Sequence, residues 1–548
     1  MKRWLATGTP WVWLTASAIT FSLVAIAAVF SLLISQSARY LWPQPVWLLT
    51  QSDRQGSERA WLGERYDAYP LTHQQLLDAG IAHAPPDGAT RYLMKTGFRE
   101  LYGQSFQSFL SHTITDMRQP IEVLAVRRAT NGMAYGYLDG MTEDGQPLVS
   151  ENLSAVLQQR IVRVHEWMAQ AQEMRINDMS RLNARFDDLR QQEVRLQREH
   201  RLDSQAQARL KAGRSELEHQ FDVLNQQLLA LNADINRTAL VLRDAQGGKH
   251  VIPVSMIERA WYPNQLSMTE KARQAADVLV TMLTRFAPDD SSPGQLFPAI
   301  FGTVLLVMLM SVIVMPLGVV AAVYLHEYAD NNSLTRWVRI AVANLAGVPS
   351  IVYGVFGLGF FVYLVGGTLD QWFYAQSLPS PTLGTPGLLW ASLTLALLTL
   401  PVVIVSTEEG LSRIPLALRH GSLALGATRA ETLWRVVLPM AVPSMMTGLI
   451  LAIARAAGET APLMLVGVVK SVPALPVDAA FPYLHLERKF MHLGFQIYDL
   501  AFQSPDVEAA RPLVYITALL LVLIVVALNL AAIGIRHVLR EKYRAMSL

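Results

Sequence analysis

The 548-residue chain is 51% hydrophobic and 16% charged, with a mean hydropathy of +0.25, and its apolar residues gather in one N-terminal block and a dense C-terminal half. That charge content lies below the roughly 25% usual for soluble domains, which excludes an ordinary soluble multidomain protein. A net charge of +2 without a basic tract gives no sign of nucleic-acid binding, and the absence of cysteine rules out disulfides, thiolate metal sites and cysteine nucleophiles.

Crossing a bilayer takes about 20 mostly apolar residues. Six stretches qualify, at residues 11–34, 296–325, 338–365, 388–405, 441–469 and 513–535. The first follows Lys2 and Arg3, but its apolar run is too long for a signal-peptide core and no clean small-residue cleavage site follows it, so it reads as an anchor. The loop after the fourth stretch carries Arg413, Arg419, Arg429 and Arg435, and the C-terminal tail carries Arg536, Arg540, Lys542 and Arg544, whereas residues 367–387 hold no Lys or Arg. Positive charge marks the cytoplasmic side, so both termini are expected there and residues 40–295 outside.

Those outer residues carry structure of their own. "IEVLAVRRATNGMAYGYLDG" alternates and turns at Asn131-Gly132, a β-hairpin signal, and Thr72 with Gln75 forms a candidate capping box for a short helix. From about 153 to 243 the pattern is long-helical and glutamine-rich. Leu217, Phe221, Leu224, Leu228, Leu231 and Ile235 step by four and three like a coiled-coil seam. The preceding arm shows Leu157, Ile161, Val164 and Met168, then Met179, Leu182, Phe186 and Leu189 after a phase slip. Two arms around a polar stretch near Asp203 and Ser204 predict an antiparallel helical hairpin about 60 Å long that projects away from the membrane. An insert of this size is more than a connection needs. It is expected to fold without metal or disulfide and to contact another extracytoplasmic component.

The expected fold class is therefore an α-helical polytopic membrane protein with six transmembrane helices and an inserted α+β domain containing a coiled-coil hairpin. Residues 1–39 form the N-terminus and first span, 40–295 the extracytoplasmic insert, and 296–548 the core, with a cytoplasmic loop at about 406–440.

In that loop, "EEGLSRIPLALRHGSLALGATRAETLWRVVLPMAVPSMMTG", Gly426 is followed nine residues later by Val436, Val437, Leu438 and Pro439. The spacing resembles the coupling loop of ABC-importer permeases, whose pattern is Glu-Ala-Ala, three residues, Gly, nine residues and Ile-x-Leu-Pro. Where Glu-Ala-Ala belongs, this chain has His420, Gly421 and Ser422. The resemblance implies a type I ABC-importer permease fold. It also implies a short helix ending near Gly426 that docks on a separate ATPase, with His420, Gly421, Ser422, Gly426, Ala427, Leu438 and Pro439 as the coupling residues.

Two further stretches, "NLAGVPSIVYGVFGLGFF" (344–361) and "ARAAGETAPLMLVG" (454–467), resemble the membrane permeases of the bacterial phosphate-specific transport system. Of its two paired permeases, the Gly-Glu-Thr-Ala-Pro-Leu form and "FQIYDLAF" (495–502) resemble the PstA type rather than the PstC type. The resemblance covers the first span and roughly residues 255–548. It implies a permease in the bacterial inner membrane working with a second permease of PstC type, two ATPase subunits and a periplasmic phosphate-binding protein. No cofactor belongs to the chain itself, since ATP and Mg are bound by the ATPase.

The residues agree with that implication. Arg455 and Glu459 lie four apart in an apolar run rich in Ala and Gly, so on a helix they share a face and can pair. A charge at bilayer depth costs at least ~2.5 kcal/mol and needs a return. A guanidinium matches the oxygens of phosphate bidentately, and Glu459 would hold it in place and keep the anion releasable. Thr460 follows the pair, and Pro462 would interrupt the helix just beyond. In the third stretch Gly347, Pro349, Ser350, Tyr353 and Gly354 form a polar, bendable segment, with Ser350 and Tyr353 as candidate pathway residues. In the family the arginine and glutamate are associated with translocation.

Molybdate or sulfate remains an alternative substrate, since arginine alone does not choose among oxyanions. A membrane-anchored scaffold or sensor is an alternative of another class, with no cytoplasmic output segment to support it. ATPase activity is not expected here, because the only Gly-Lys pair, at 247–250 ("GGKH"), lacks the spacing of a phosphate loop. His165, His200 and His219 lack metal-ligand spacing and read as solvated.

Overall fold

The computed structural model describes residues 9–52, 58–80, 85–130, 132–286, 296–330, 332–375, 381–478, 483–504 and 507–544. Among them are six helices long and apolar enough to cross a membrane: Trp11–Leu41, Phe297–Tyr328, Ser350–Phe373, Leu388–Ser412, Arg429–Gly458 and Val507–Leu539. Spans two, four and five form the centre of the bundle, and the first span leans on the sixth. Small residues let the central helices close on one another. A Cβ on Gly318 would lie 2.6 Å from Val403, one on Gly410 2.5 Å from Ser444, and one on Gly448 2.8 Å from Ser406.

Two spans differ from the expected boundaries, each for a backbone reason. The stretch 338–365 is not one helix. Pro349 removes a backbone donor and disfavours helix at the residue before it, so the chain breaks there. Residues Ser333–Leu345 become a separate amphipathic helix capped by Asn332, and the third span runs from Ser350. The stretch 441–469 also divides. Its helix ends at Gly458, Glu459 turns extended (φ −79°, ψ 125°), and a short helix, Ala461–Val466, follows with Pro462 in its first turn. The break thus falls before the proline, at Glu459 and Thr460.

The insert consists of two antiparallel sheets with the same strand order. Strands β1 (Val46–Ser52), β2 (Glu58–Leu71), β3 (Ala89–Lys95), β4 (Phe106–Leu110) and β5 (Ile114–Arg118) lie in the order β4-β3-β2-β1-β5. Strands β6 (Val123–Arg128), β7 (Met133–Glu143), β9 (Thr238–Arg243), β10 (Lys249–Pro253) and β11 (Ile257–Trp261) lie in the order β10-β9-β7-β6-β11, with the two-residue β8 (Gln146–Pro147) beside β7. A 3₁₀ turn precedes the last strand in each unit, at Ser111–Thr113 and at Val254–Met256. One glycine position repeats as well. A Cβ on Gly63 of β2 would lie 2.6 Å from the Lys95 carbonyl oxygen at the end of β3, and one on Gly136 of β7 2.5 Å from that of Arg243 at the end of β9. The insert is an internal structural duplication that the divergent sequences of its halves conceal. The sheets face each other through Val46, Leu48, Leu62, Val123, Ala125 and Tyr135.

The capping box at Thr72 and Gln75 is formed and starts the helix His73–Asp78. Strands β6 and β7 pair with Arg127 opposite Met133, and Gly132 takes a left-handed φ of 71°, while Asn131 lies outside the described residues. The "GGKH" stretch closes the turn between β9 and β10 with Gly247 and Gly248 and starts β10 with Lys249 and His250. There the Asp244 carboxylate accepts the backbone N–H groups of Gln246 (2.9 Å) and Gly248 (2.7 Å).

The helical hairpin occupies the connection from β8 to β9. Its outgoing arm is Leu153–Glu173 continued by Ser180–Arg198, and its return arm is Ser204–Asn236, started by Asp203, whose carboxylate accepts Ala206 N–H at 2.7 Å. A π-helical turn at Met174–Met179 joins the two parts of the outgoing arm, where the apolar pattern slips phase. Leu157, Ile161 and Val164 are buried on one arm, and Leu217, Leu224, Leu228 and Ile235 on the other. The direction differs from the expected one. The hairpin does not project away from the membrane: Arg198 at its tip donates from Nη2 to the carbonyl of Ala375, two residues past the third span, at 3.2 Å. Apolar periodicity pairs the arms, but the sheet they leave sets where they point. His165 is likewise not solvated, since its Nε2 meets the Ile257 carbonyl at 2.9 Å.

Candidate functional site

Two groups of residues stand at opposite ends of the fifth span. At its C-terminal end Arg455 Nε lies 3.6 Å from Glu459 Oε1, both side chains partly accessible. Because Glu459 is the residue at which the helix stops, the pair straddles an open helix end, with Ala456 and Ala457 buried behind it. On the same face, one to three turns earlier, Ser444, Thr447 and Leu451 line an open cavity of about 550 Å³, with Pro401, Ser406 and Glu409 of the fourth span, Arg413 just past its end, and Val342 and Ala346 as other walls. The cavity stripe on this helix therefore leads to Arg455.

The third span meets the pair through a glycine. A Cβ on Gly354 would lie 2.7 Å from Pro462 Cα, so the span packs directly on the chain that follows Glu459 and Thr460. This contact brings Tyr353 to the pair. The tyrosine is buried, donates its hydroxyl to the Leu345 carbonyl at 2.7 Å, and lies within electrostatic reach of Arg455. Ser350 opens the helix three residues earlier and stays half-buried. Thr460 places its hydroxyl against Gly494, 2.4 Å from where a Cβ would sit, which links the break to residues 492–498.

Sequence patterns gave no notice of His492, on that same segment. It caps the helix Leu493–Tyr498 by accepting the Gly494 N–H at Nδ1 (3.1 Å), which leaves the ring proton on Nε2. Its side chain is fully buried, Nε2 has no partner among the described residues, and burial pushes its pKa down from 6.5 to about 4. The folded protein therefore binds this proton less readily than the unfolded chain. The corresponding stability, on the order of 3 kcal/mol, is fully present above pH 6.5 and is lost as pH falls from there towards about 4. In His492→Asn the amide oxygen replaces Nδ1 as the cap, so thermal melts between pH 7 and 4 should show a flatter acid limb than the parent. Parallel limbs would remove His492 as their cause.

At the other end of the fifth span lies the loop at about 406–440. Its helix is Leu416–Ala424, ended by a Schellman motif in which Gly426 N–H bonds the Leu423 carbonyl (3.0 Å) and Ala427 N–H the Ser422 carbonyl (3.3 Å). Gly426 has φ 89°, a conformation that costs any side-chain-bearing residue roughly 1–2 kcal/mol. The remaining coupling candidates divide into two sets. His420 and Gly421 are exposed, beside the exposed Leu416, Leu418, Leu423 and Leu425, and together they present an apolar surface with a polar edge. Ser422 faces inward, its hydroxyl 2.9 Å from that of Thr432, while Leu438 and Pro439 form the first turn of the helix Leu438–Gly458.

Arg419 is the connection that sequence spacing did not single out. Its Nη1 lies 2.7 Å from Glu327 Oε1 at the end of the second span, and its Nη2 donates to the Leu411 carbonyl of the fourth at 2.8 Å. Through Arg419 and Ser422 the helix Leu416–Ala424 grips the ends of spans two, four and five.

Residues 314–545 match the family described as the binding-protein-dependent transport system inner membrane component. A probable ABC transporter permease protein, YqgI of Bacillus subtilis, is 32% identical over 46% of this chain and 81% of its own length. The phosphate transport system permease protein PstA 1 of Mycobacterium tuberculosis is 34% identical over 46% of this chain and 72% of its own, and the PstA of Yersinia pestis 33% over 45% and 73%. Identity of this order across most of each relative, together with six spans and a Schellman-capped helix between the fourth and fifth, places the chain in the family of binding-protein-dependent transport permeases, with those of PstA type.

Proposed function

We propose that this chain is the permease subunit of an ATP-driven importer and forms, with a second permease of PstC type, the path by which inorganic phosphate crosses the bacterial inner membrane. One observation supports the reading above the rest: a guanidinium, paired with a carboxylate and still partly accessible, stands at the broken end of a membrane helix, one turn beyond Leu451 of the cavity. Guanidinium groups bind tetrahedral oxyanions through paired, charge-assisted hydrogen bonds. Tyr353, Ser350 and Thr460 supply neutral polar groups around the same break. The chain conducts and does not catalyse. Hydrolysis of ATP belongs to two ATPase subunits seated on the exposed face of Leu416–Ala424, and delivery of phosphate to a periplasmic binding protein on the side of the insert. Both termini then face the cytoplasm and residues 40–295 the periplasm. The relatives that are named for phosphate transport support phosphate over other oxyanions.

Uptake of radiolabelled phosphate by vesicles holding the purified complex, loaded with ATP and supplied with binding protein, tests the reading. Phosphate uptake should persist in a hundredfold excess of molybdate or sulfate. Displacement by either of these, with no phosphate accumulation, would transfer the path to that oxyanion.

A further inference from the structure

The helical hairpin is electrically polarised along its length. Residues 190–214, which form the tip, hold seven Arg or Lys and three Asp or Glu, whereas residues 153–189 and 215–236 together hold five basic and nine acidic residues. The basic residues of the tip are all exposed, and Arg190, Arg195, Arg198, Arg209 and Lys211 have no carboxylate partner among the described residues. Charge segregated in this way, on arms that are otherwise acidic, marks the tip for an anionic surface.

The fold also fixes the height of the tip. Arg198 bonds the carbonyl of Ala375, immediately past the last turn of the third span, where Trp372 and Phe373 are exposed by 73% and 67% and Tyr374 follows. Exposed aromatic rings at the end of a membrane helix sit at headgroup level, so a tip bonded beside them reaches the lipid phosphates. Each Lys or Arg held near an anionic membrane surface contributes about 1 kcal/mol. Guanidinium groups, which predominate here, pair with phosphodiesters as readily as with carboxylates. The acidic base of the hairpin is repelled by the same surface, which favours approach by the tip alone.

We propose that the hairpin tip is a membrane-surface anchor that binds the anionic phospholipids of the outer leaflet around the third span and so fixes the insert relative to the transport path. This rests on the orientation given above, in which the insert is periplasmic, but not on the substrate of the path.

The chain has no cysteine, so Gln205→Cys, at the exposed start of the return arm, gives a single site on this chain for a fluorescent label. The labelled complex, carrying cysteine-free partner subunits, is placed in nanodiscs of phosphatidylcholine alone or with one-third phosphatidylglycerol, each holding a trace of headgroup-quencher lipid. Quenching should be strong with phosphatidylglycerol and fall at least about fivefold in phosphatidylcholine, in 0.5 M salt, and when Arg190, Arg195, Arg209 and Lys211 are changed to Gln. The salt and lipid arms need no variant and decide the matter if the fourfold variant fails to assemble. Equal quenching in both lipids would overturn the proposal, as would loss of quenching on adding millimolar inorganic phosphate at constant ionic strength, which would make the tip a free-phosphate site. Photocrosslinking from the same position to the second permease in both lipids would overturn it in favour of a protein contact.

Discussion

Arg455→Ala should reduce phosphate uptake at least about a hundredfold while leaving the complex assembled. Two charged hydrogen bonds to an oxyanion are worth roughly 1.5–3 kcal/mol each, and every 1.4 kcal/mol is a factor of ten. Little stability should be lost with them. The side chain is about a third accessible, and Glu459, left behind, is also partly solvated and sits where the helix has already ended. Arg455→Lys keeps the charge but loses the fork, so it should fall between parent and alanine variant. Glu459→Gln should act differently: it leaves the guanidinium in place with a higher net positive charge, so the anion is held and its release slows. Uptake measured at equal membrane levels, with copurification of the second permease as the assembly control, separates these outcomes. Uptake by Arg455→Ala near that of the parent would reduce the pair to a packing device between helices.

Which parts of this architecture could be seen in the chain follows from which interactions are local. The six spans were legible because hydrophobic length is a property of twenty consecutive residues. The hairpin arms were legible because the seam recurs every three or four, and even the slip between Met168 and Met179 has a counterpart in the π turn at Met174–Met179. The pair Arg455–Glu459 was visible as charge where none is expected. The two span boundaries were misplaced because both breaks lie inside continuous apolar runs. Pro349 and Pro462 announced a break near each, but hydropathy alone set the bounds, and the second break falls at Glu459 and Thr460, before its proline. Long-range placement left no local trace. Nothing near Arg198 foretells a bond to Ala375, 177 residues away, and nothing near His492 foretells its burial beside Thr460. The duplicated sheets escaped for a related reason. A strand order is a set of pairings between distant segments, and few positions keep the same residue in both copies for a physical cause: Gly63 and Gly136, each pressed on a neighbouring carbonyl, and Val46 and Val123, buried between the sheets.

Arg419→Met should separate ATP hydrolysis from transport. The helix Leu416–Ala424 shows its outer face to solvent, where the proposed ATPase would sit, and two polar side chains tie its inner face to the spans. Ser422 meets Thr432 at the root of the fifth span, and Arg419 reaches the other two central spans: its Nη1 is 2.7 Å and 2.9 Å from the two oxygens of Glu327, and its Nη2 holds the Leu411 carbonyl. Glu327 is itself steadied by His326 Nδ1 at 3.0 Å, whose Nε2 meets the Ser412 hydroxyl at 3.1 Å, so the ends of spans two and four are tied together beneath the arginine. Methionine keeps an unbranched apolar stem like that of arginine but ends short of the guanidinium and makes none of these bonds. The loss, roughly 1.5–3 kcal/mol for each charged hydrogen bond, falls on the link between docking helix and spans rather than on the docking surface. The ATPase should therefore still copurify and hydrolyse ATP, while phosphate moved per ATP drops about tenfold. Exchanging the partners, with Arg419→Glu and Glu327→Arg together, should restore part of that ratio, because the two sites are buried to a similar degree. A ratio unchanged in Arg419→Met would mean that the stroke passes through Ser422 and the fifth span alone, and loss of the ATPase from the complex would make Arg419 a folding residue of the docking helix instead of its lever.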